Sequence, residues 1–298
     1  MEDEAKLRKA ENTQGLSAPG GTSHTVTYQM PTAYELRAVG FLDVLGWREM
    51  IEDSQKNIDL IPKMGSALTL IKLTGELPKS IEDWLRSRAE SEGKTFDPHE
   101  GRIQFAQFSD SLLISGEKDL FYSVLFQISS LIKSLFYNLG FLVRGAVTLG
   151  PMYHKGSVAF GPALTHGYDL ERKSAIFPRV ILDPILTTGL PVESDRLTPE
   201  PSPILSMLRR DEDGFWFFDY LQPLIVRNIG LEVEQPWLNQ FVIPNLLYSK
   251  RFIEDGLSKF AESEKIVHKY CWLAKYFNLV NWEYPQAKVS DLLVKPDS

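Results

Sequence analysis

Apolar residues along this chain fall into short runs whose spacing changes character from segment to segment. The run LRAVGFLDVLGW, residues 36–47, is almost continuously apolar until Asp43 and is followed by a turn residue, Gly46. That pattern predicts a buried strand, a turn, and then the helix WREMIEDSQKNID. In RIQFAQFSDSLLIS, residues 102–115, Ile103, Phe105 and Gln107 alternate against Gln104, Ala106 and Phe108. This predicts a hairpin turning at Ser109-Asp110-Ser111. DLFYSVLFQISSLIKSLFYNLG is apolar nearly all round, as a buried helix is, and Gly140 is placed to cap its C-terminus. FLVRGAVTLG reads as a strand, GPMYHKGSVAFG as a turn and returning strand, ALTHGYDLERK as a helix and FPRVILD as a strand. Residues 184–212, rich in Pro and charge, read as loop; GFWFFDYL reads as a late strand, and a long helix is expected from about Arg251 to Phe277.

Helices between antiparallel strands in this order predict an α+β fold: a ferredoxin-like or palm-type sheet with helices on one face, plus a C-terminal helical extension. Residues 1–32, with the run GLSAPGGTSHT, read as a mobile polar tail, residues 33–225 as the main folded domain, and residues 226–298 as helices packed on the core. The polar segment RSRAESEGKTFDPHEG, residues 86–101, reads as a surface insertion.

Composition narrows the function classes. A chain of 298 residues that is 43% hydrophobic can bury one substantial core. Its net charge of -7, without any basic block, argues against a nucleic-acid binder. The single cysteine, Cys271, permits no intrachain disulfide and suits a reducing cytosol, and the five histidines show no metal-ligand spacing. The charged N-terminus has no apolar signal region, and apolar stretches are interrupted within about ten residues. The expectation is a cytoplasmic protein with no membrane partner.

Asp43 ends an apolar strand, where an unpartnered buried carboxylate would cost several kcal/mol. Asp110 stands at a hairpin tip, where Asp is common as a turn residue. In a palm-type sheet the two come to one edge. Facing carboxylates repel unless a cation lies between them, and hard oxygen ligands suit Mg²⁺ or Mn²⁺ with substrate phosphates completing the shell.

These segments resemble a known family. FLDVLGW resembles the first metal motif of class III adenylate/guanylate cyclases, FSDSLLIS the second, and LVRGAVTLGPMYHKGSVAFGPALTHGYDLE the strand, hairpin and helix that close their site. The resemblance covers roughly residues 38–225, with a long insertion between the two aspartates. It implies two Mn²⁺ or Mg²⁺ ions per site, held by Asp43, Asp110 and the Val44 carbonyl. It implies phosphate contacts from the N–H groups of Leu45, Gly46 and Trp47, a triphosphate-binding role for Arg144, and a homodimer with shared sites.

The departures matter as much. Where purine-specific relatives read the base with a lysine and an aspartate, this chain has Ala106 and Val158, neither of which can hydrogen-bond through its side chain. The transition-state asparagine and arginine fall on Thr165 and Asp169. Thr165 can still orient a ribose; Asp169 cannot stabilise phosphoryl charge, and Arg172, farther along the same helical face, is the candidate replacement. FGPALTHGYDLERKSAIFPRVILD resembles a bacterial subgroup that includes the pyrimidine cyclases of Pycsar antiphage defence. That implies conversion of UTP, or next CTP, to a 3′,5′-cyclic monophosphate and pyrophosphate, with the product activating a separate effector. The alternatives are a purine cyclase with an unusual pocket, and a degenerate, non-catalytic nucleotide-binding or dimerisation module.

Overall fold

The computed structural model describes residues 33–75, 102–193, 195–197, 202–222, 238–284 and 289–291, with a few positions between 86 and 93; Glu35–Ser298 is one compact unit. The expected 1–32 tail, most of the 86–101 insertion and the boundary at 225/226 lie outside the described residues.

Four strands and three helices form the frame. β1 (Glu35–Val44) leads through α1 (Trp47–Ser54) and α2 (Leu60–Gly75) to the hairpin of β2 (Gln104–Phe108) and β3 (Ser111–Glu117). Then follow α3 (Phe121–Leu139) and β4 (Val143–Lys155). The sheet order over this part is β2-β3-β1-β4, and every pair in it is antiparallel. This is the split β-α-β arrangement of ferredoxin-like folds. It makes β1 a central strand, which is why nearly all of it is apolar: both faces are covered.

The period of two along β1 assigns its faces. Ala38, Leu42 and Val44 belong to the main core with α3, and a methyl group at Gly40 would stand 2.5 Å from Ile128 Cδ1, so α3 presses directly on the strand there. On the other face Val39 joins Leu113, Met152 and Ala163 in a smaller cluster under α4 (Pro162–Ser174). α4 rests on that face through Ala163 and Gly167, and Thr148 Oγ1 donates to the Ala163 carbonyl at 3.2 Å. The small residues recurring at every fourth position let the helix lie close to the strands. α3 ends as its sequence predicts, on Gly140 in the left-handed region. Lys118–Leu139 is long and apolar enough to cross a membrane by length and composition, but half of its apolar window is buried inside the protein as the main core helix.

Three sequence expectations change. First, β4 does not turn at Gly150-Pro151: it runs on to Lys155, with Pro151 opposite Leu36, and turns at Gly156 into β5 (Val158–Phe160). β6 (Val180–Leu182), the parallel neighbour of β4, pairs only with Gly145–Val147, so Pro151 sits where β4 has an open edge and its missing N–H costs nothing.

Second, residues 184–212 are not simply loop. A one-turn helix, Pro184–Thr187, is followed by β7 (Val192–Glu193), β8 (Arg196–Leu197) and β9 (Leu208–Arg210), which with β10 (Trp216–Phe218) extend the sheet beyond β6. Charges of this stretch are interior: Arg196 and Arg209 are buried against Asp219. Third, the long C-terminal helix is two helices, α5 (Ile243–Lys259) and α6 (Glu264–Trp282), separated at Phe260–Ser263. The break lets them fold back on each other, with Phe260 stacked on Tyr270 and both helices contributing to the main core.

Candidate active site

The C-terminal end of β1 and the β2–β3 turn meet at one sheet edge. Asp43 lies opposite Ser111 of β3 and Arg144 of β4 in the register. The Val44 N–H donates to the Asp110 carbonyl at 3.0 Å, which ties the hairpin tip to the strand end. The turn is tight enough that Ser109 takes a left-handed φ of 59°, a conformation that costs a non-glycine residue about 1 kcal/mol. Pairing geometry thus delivers both aspartates to one place.

Arg144 stands between two carboxylates. Its Nε donates to Asp43 Oδ2 at 3.0 Å, and the same nitrogen is 2.7 Å from Glu171 Oε1 on α4. Glu171 lies on the row of α4 that faces the sheet, with Ala163 and Gly167, and its side chain is only 4% exposed. Despite the short distance, Glu171 Oε1 has no hydrogen bond of good geometry. One N–H cannot serve two acceptors well.

The site is therefore acid-rich. Burial raises the pKa of Asp43; the hydrogen bond and charge of Arg144 oppose that, and the nearby Asp110 charge adds to it. Burial likewise raises Glu171, with Arg144 opposing and Asp43 reinforcing. Lys269 of α6 also feels this cluster: burial lowers its pKa, the positive charge of Arg144 lowers it further, and Asp43 acts in the opposite direction.

The other sequence candidates divide. The Leu45 N–H donates to the Leu142 carbonyl at 2.9 Å, so the turn's donors to an anion narrow to Gly46 and Trp47 at the start of α1. Gly46 supplies a left-handed φ of 79°, which turns the chain into the helix. The Trp47 side chain is buried, packed on Phe141 with ring centroids 5.8 Å apart. Ala106 is buried in the small cluster beneath α4, and Ala159 packs there, whereas Val158 is 54% exposed. Thr165 and Arg172 are both exposed on α4, and among the described residues no hydrogen bond or ion pair joins either of them to Asp43. Asp169 pairs with Lys173 at 2.8 Å, one turn along the same helix.

Glu171 and Lys269 are the residues that sequence reasoning missed. Glu171 did leave a signal: it continues the row of Ala163 and Gly167, a small-residue face made for close packing, where a carboxylate is out of place unless it has a partner. Lys269 left none, because only the fold-back of α6 places it.

The donor set fits a hard divalent cation. Two carboxylates and a strand-end carbonyl are such donors, and burial plus mutual repulsion already disfavour charge on Asp43 without one. Among the described residues no group of three or more His, Cys, Asp or Glu side chains forms a complete ligand shell, so further ligands would have to come from substrate or solvent.

No protein-family model matches the sequence, and no curated protein matches it. Among solved structures, the chain is similar to the catalytic core of a rhodopsin-guanylyl cyclase with converted specificity, solved with ATPαS. The identity is 11%, the match covers 63% of this chain and 97% of that one, and the TM-score is 0.35. A likeness of that degree carries no argument about chemistry, which rests on the site itself.

Proposed function

We propose that this chain is a metal-dependent nucleotidyl cyclase that converts a pyrimidine nucleoside triphosphate, UTP before CTP, to its 3′,5′-cyclic monophosphate and pyrophosphate. The observation that carries the reading is the meeting of Asp43 and Asp110 at one sheet edge, beside an arginine whose charge does not balance the acids around it. The cyclase-like motifs around those residues give it its chemistry. Bound Mn²⁺ or Mg²⁺, two ions per site on Asp43, Asp110 and the Val44 carbonyl, would neutralise phosphate charge and favour ionisation of the ribose 3′-hydroxyl. The chain's own groups would position the substrate. Arg144 and the N–H groups of Gly46 and Trp47 hold the phosphates, at a helix start where anions are favoured. The 3′-oxygen then attacks the α-phosphorus as the bond to pyrophosphate breaks.

Thr165 and Arg172 are exposed on α4 without a bond to Asp43, and exposed Phe108, Phe160 and Tyr168 offer apolar surface around the hairpins and α4. Both features suit a head-to-tail homodimer in which α4 of one subunit completes the site of the other. Ala106 and Val158 offer a purine edge no side-chain partner, which leaves its polar groups unpaired at about 1–3 kcal/mol each. That favours the smaller base. In this reading the protein is cytoplasmic and its product activates a separate effector in antiphage defence.

One observation favours a second reading. Asp43 is already engaged by Arg144, as it would be in a degenerate module that binds nucleotide without turnover. Product analysis from an equimolar mixture of the four NTPs with Mn²⁺ separates the cases. The cyclase reading predicts cUMP, or cCMP, well above cAMP and cGMP, and none from Asp43→Ala or Asp110→Ala. Dominant purine product would overturn the base assignment, and no product from any NTP would favour the degenerate module.

A further inference from the structure

Glu171 is a buried charge that its surroundings only partly compensate. Its side chain is 4% exposed, in a row of α4 otherwise made of small residues, and its Oε1 lacks a hydrogen bond although Arg144 Nε is 2.7 Å away. A buried carboxylate costs several kcal/mol unless something compensates it. Ala or Gly, as at its neighbours in the row, would pack against the sheet without that cost. Among the described residues its one ion pair is with Arg144, the group through which it can act most directly.

Arg144 has a second feature. Both carboxylates engage Nε, and neither terminal nitrogen makes a hydrogen bond to any described residue. The guanidinium is gripped from behind, its paired Nη donors are uncommitted, and its side chain is 29% exposed. A planar fork with two free donors matches a phosphate oxygen pair. The grip is redundant as it stands. It stops being so once Asp43 serves a divalent cation, because the same Oδ2 cannot hold the arginine equally well.

We propose that Glu171 is the positioning residue for Arg144, holding its Nε so that the two terminal nitrogens stay aimed at a polyphosphate when Asp43 is committed to metal. This rests on the nucleotide-site reading above and adds to it a residue whose role is neither ligand nor base. Loss of Glu171 should therefore weaken polyphosphate binding, and only while Arg144 is present.

The test is a double-mutant cycle read by calorimetry. Inorganic tripolyphosphate is titrated, in the presence of Mn²⁺, into the unaltered protein, Glu171→Gln, Arg144→Ala and the double variant. Glu171→Gln keeps the shape and removes the charge; it should weaken binding about tenfold, the usual scale for a lost charge-assisted contact. Added to Arg144→Ala it should change nothing further. Glu171→Asp, a shorter carboxylate, should recover part of the loss. In turnover assays Glu171→Gln should raise KM more than it lowers kcat. An undiminished Glu171→Gln effect on the Arg144→Ala background, or no effect on either, would overturn the proposal. Coupling without any cyclic product from the unaltered protein would overturn the cyclase reading and leave Glu171 its role. Cyclisation without coupling would do the reverse, and no binding at all by the unaltered protein would overturn both.

Discussion

Two charge clusters in this molecule are built from the same residue types and are in opposite states. In the first, Asp219 is fully buried and accepts from Arg196, Arg209 and Tyr276, while Glu283 braces both arginines from the C-terminal end of α6. Burial alone would raise the pKa of Asp219; the two arginines and the tyrosine overcome it and hold the carboxyl far below its usual range. In the second, Asp43 and Glu171 share Arg144 with the Asp110 charge nearby, and burial leaves both Asp43 and Glu171 raised. One cluster has the countercharge it needs, and the other is short of it. The charge-balanced network is a structural lock joining β8, β9 and the end of β10 to the C-terminal segment, whereas the unbalanced one is where the proposed cation and anionic substrate would bind.

The comparison breaks most visibly at Asp219. Asp219→Asn leaves two buried arginines undercompensated, and removing one partner of a buried pair typically costs about 3–5 kcal/mol. Urea denaturation at neutral pH should show a loss of that size, and an unchanged midpoint would contradict the lock. The sign with pH follows from the depressed folded-state pKa. The Asp219 contribution is present above the carboxyl's unfolded-state value and is lost as pH falls through its lower folded value, so the variant should have a shallower acid limb.

Asp43→Asn should behave in the opposite way. In the proposed cyclase turnover should fall at least about a hundredfold, because phosphoryl transfer there would depend on charge neutralisation. Stability at neutral pH should hold or rise slightly, because a carboxyl with a raised folded-state pKa contributes stability at low pH that is lost as pH rises through that value. A large fall in melting temperature would place Asp43 with the lock and not with the site.

A smaller effect sharpens the first cluster. Lys133 is buried beside it, donates to the Gln222 carbonyl at 2.7 Å, and burial pushes its pKa down to about 7. Above that pH the unfolded chain holds a proton that the folded chain has released, so stability gains from Lys133 as pH rises from 7 towards 10. Lys133→Met should remove this slope in denaturation series at pH 7 and 9. The smallest effect expected is at the other cluster's turn. Gly46→Ala has open space around the added methyl but must adopt a φ of 79°, a strain of about 1 kcal/mol that should lower the melting temperature by a few degrees.

How much of this was legible depended on how local the cause was. The strand ending at Asp43, the hairpin with Asp110 at its tip and the helix stopped by Gly140 follow from short-range periodicity and turn chemistry, and the structure has them there. Arg144 was visible as a cation in an apolar run, but its two partners come from β1 and α4 and could not be paired by eye. Arg196 and Arg209 were misread as loop charges because their countercharges lie just after β10 and just after α6. The turn at Gly156 was assigned to Gly150-Pro151 because a proline breaks a strand only where both edges are paired, and pairing is a tertiary fact.

In the proposed function, the Asp43–Asp110 edge binds a divalent cation together with nucleotide. The most direct test of that claim is the melting temperature of the unaltered protein, Asp43→Asn and Asp110→Asn, each with and without Mn²⁺ and UTP together. A ligand at about a hundred times its Kd stabilises the folded state by about 2.7 kcal/mol. The unaltered protein should show a clear upward shift of that order and both variants little or none. An equal shift in all three, or none in the unaltered protein, would contradict the claim.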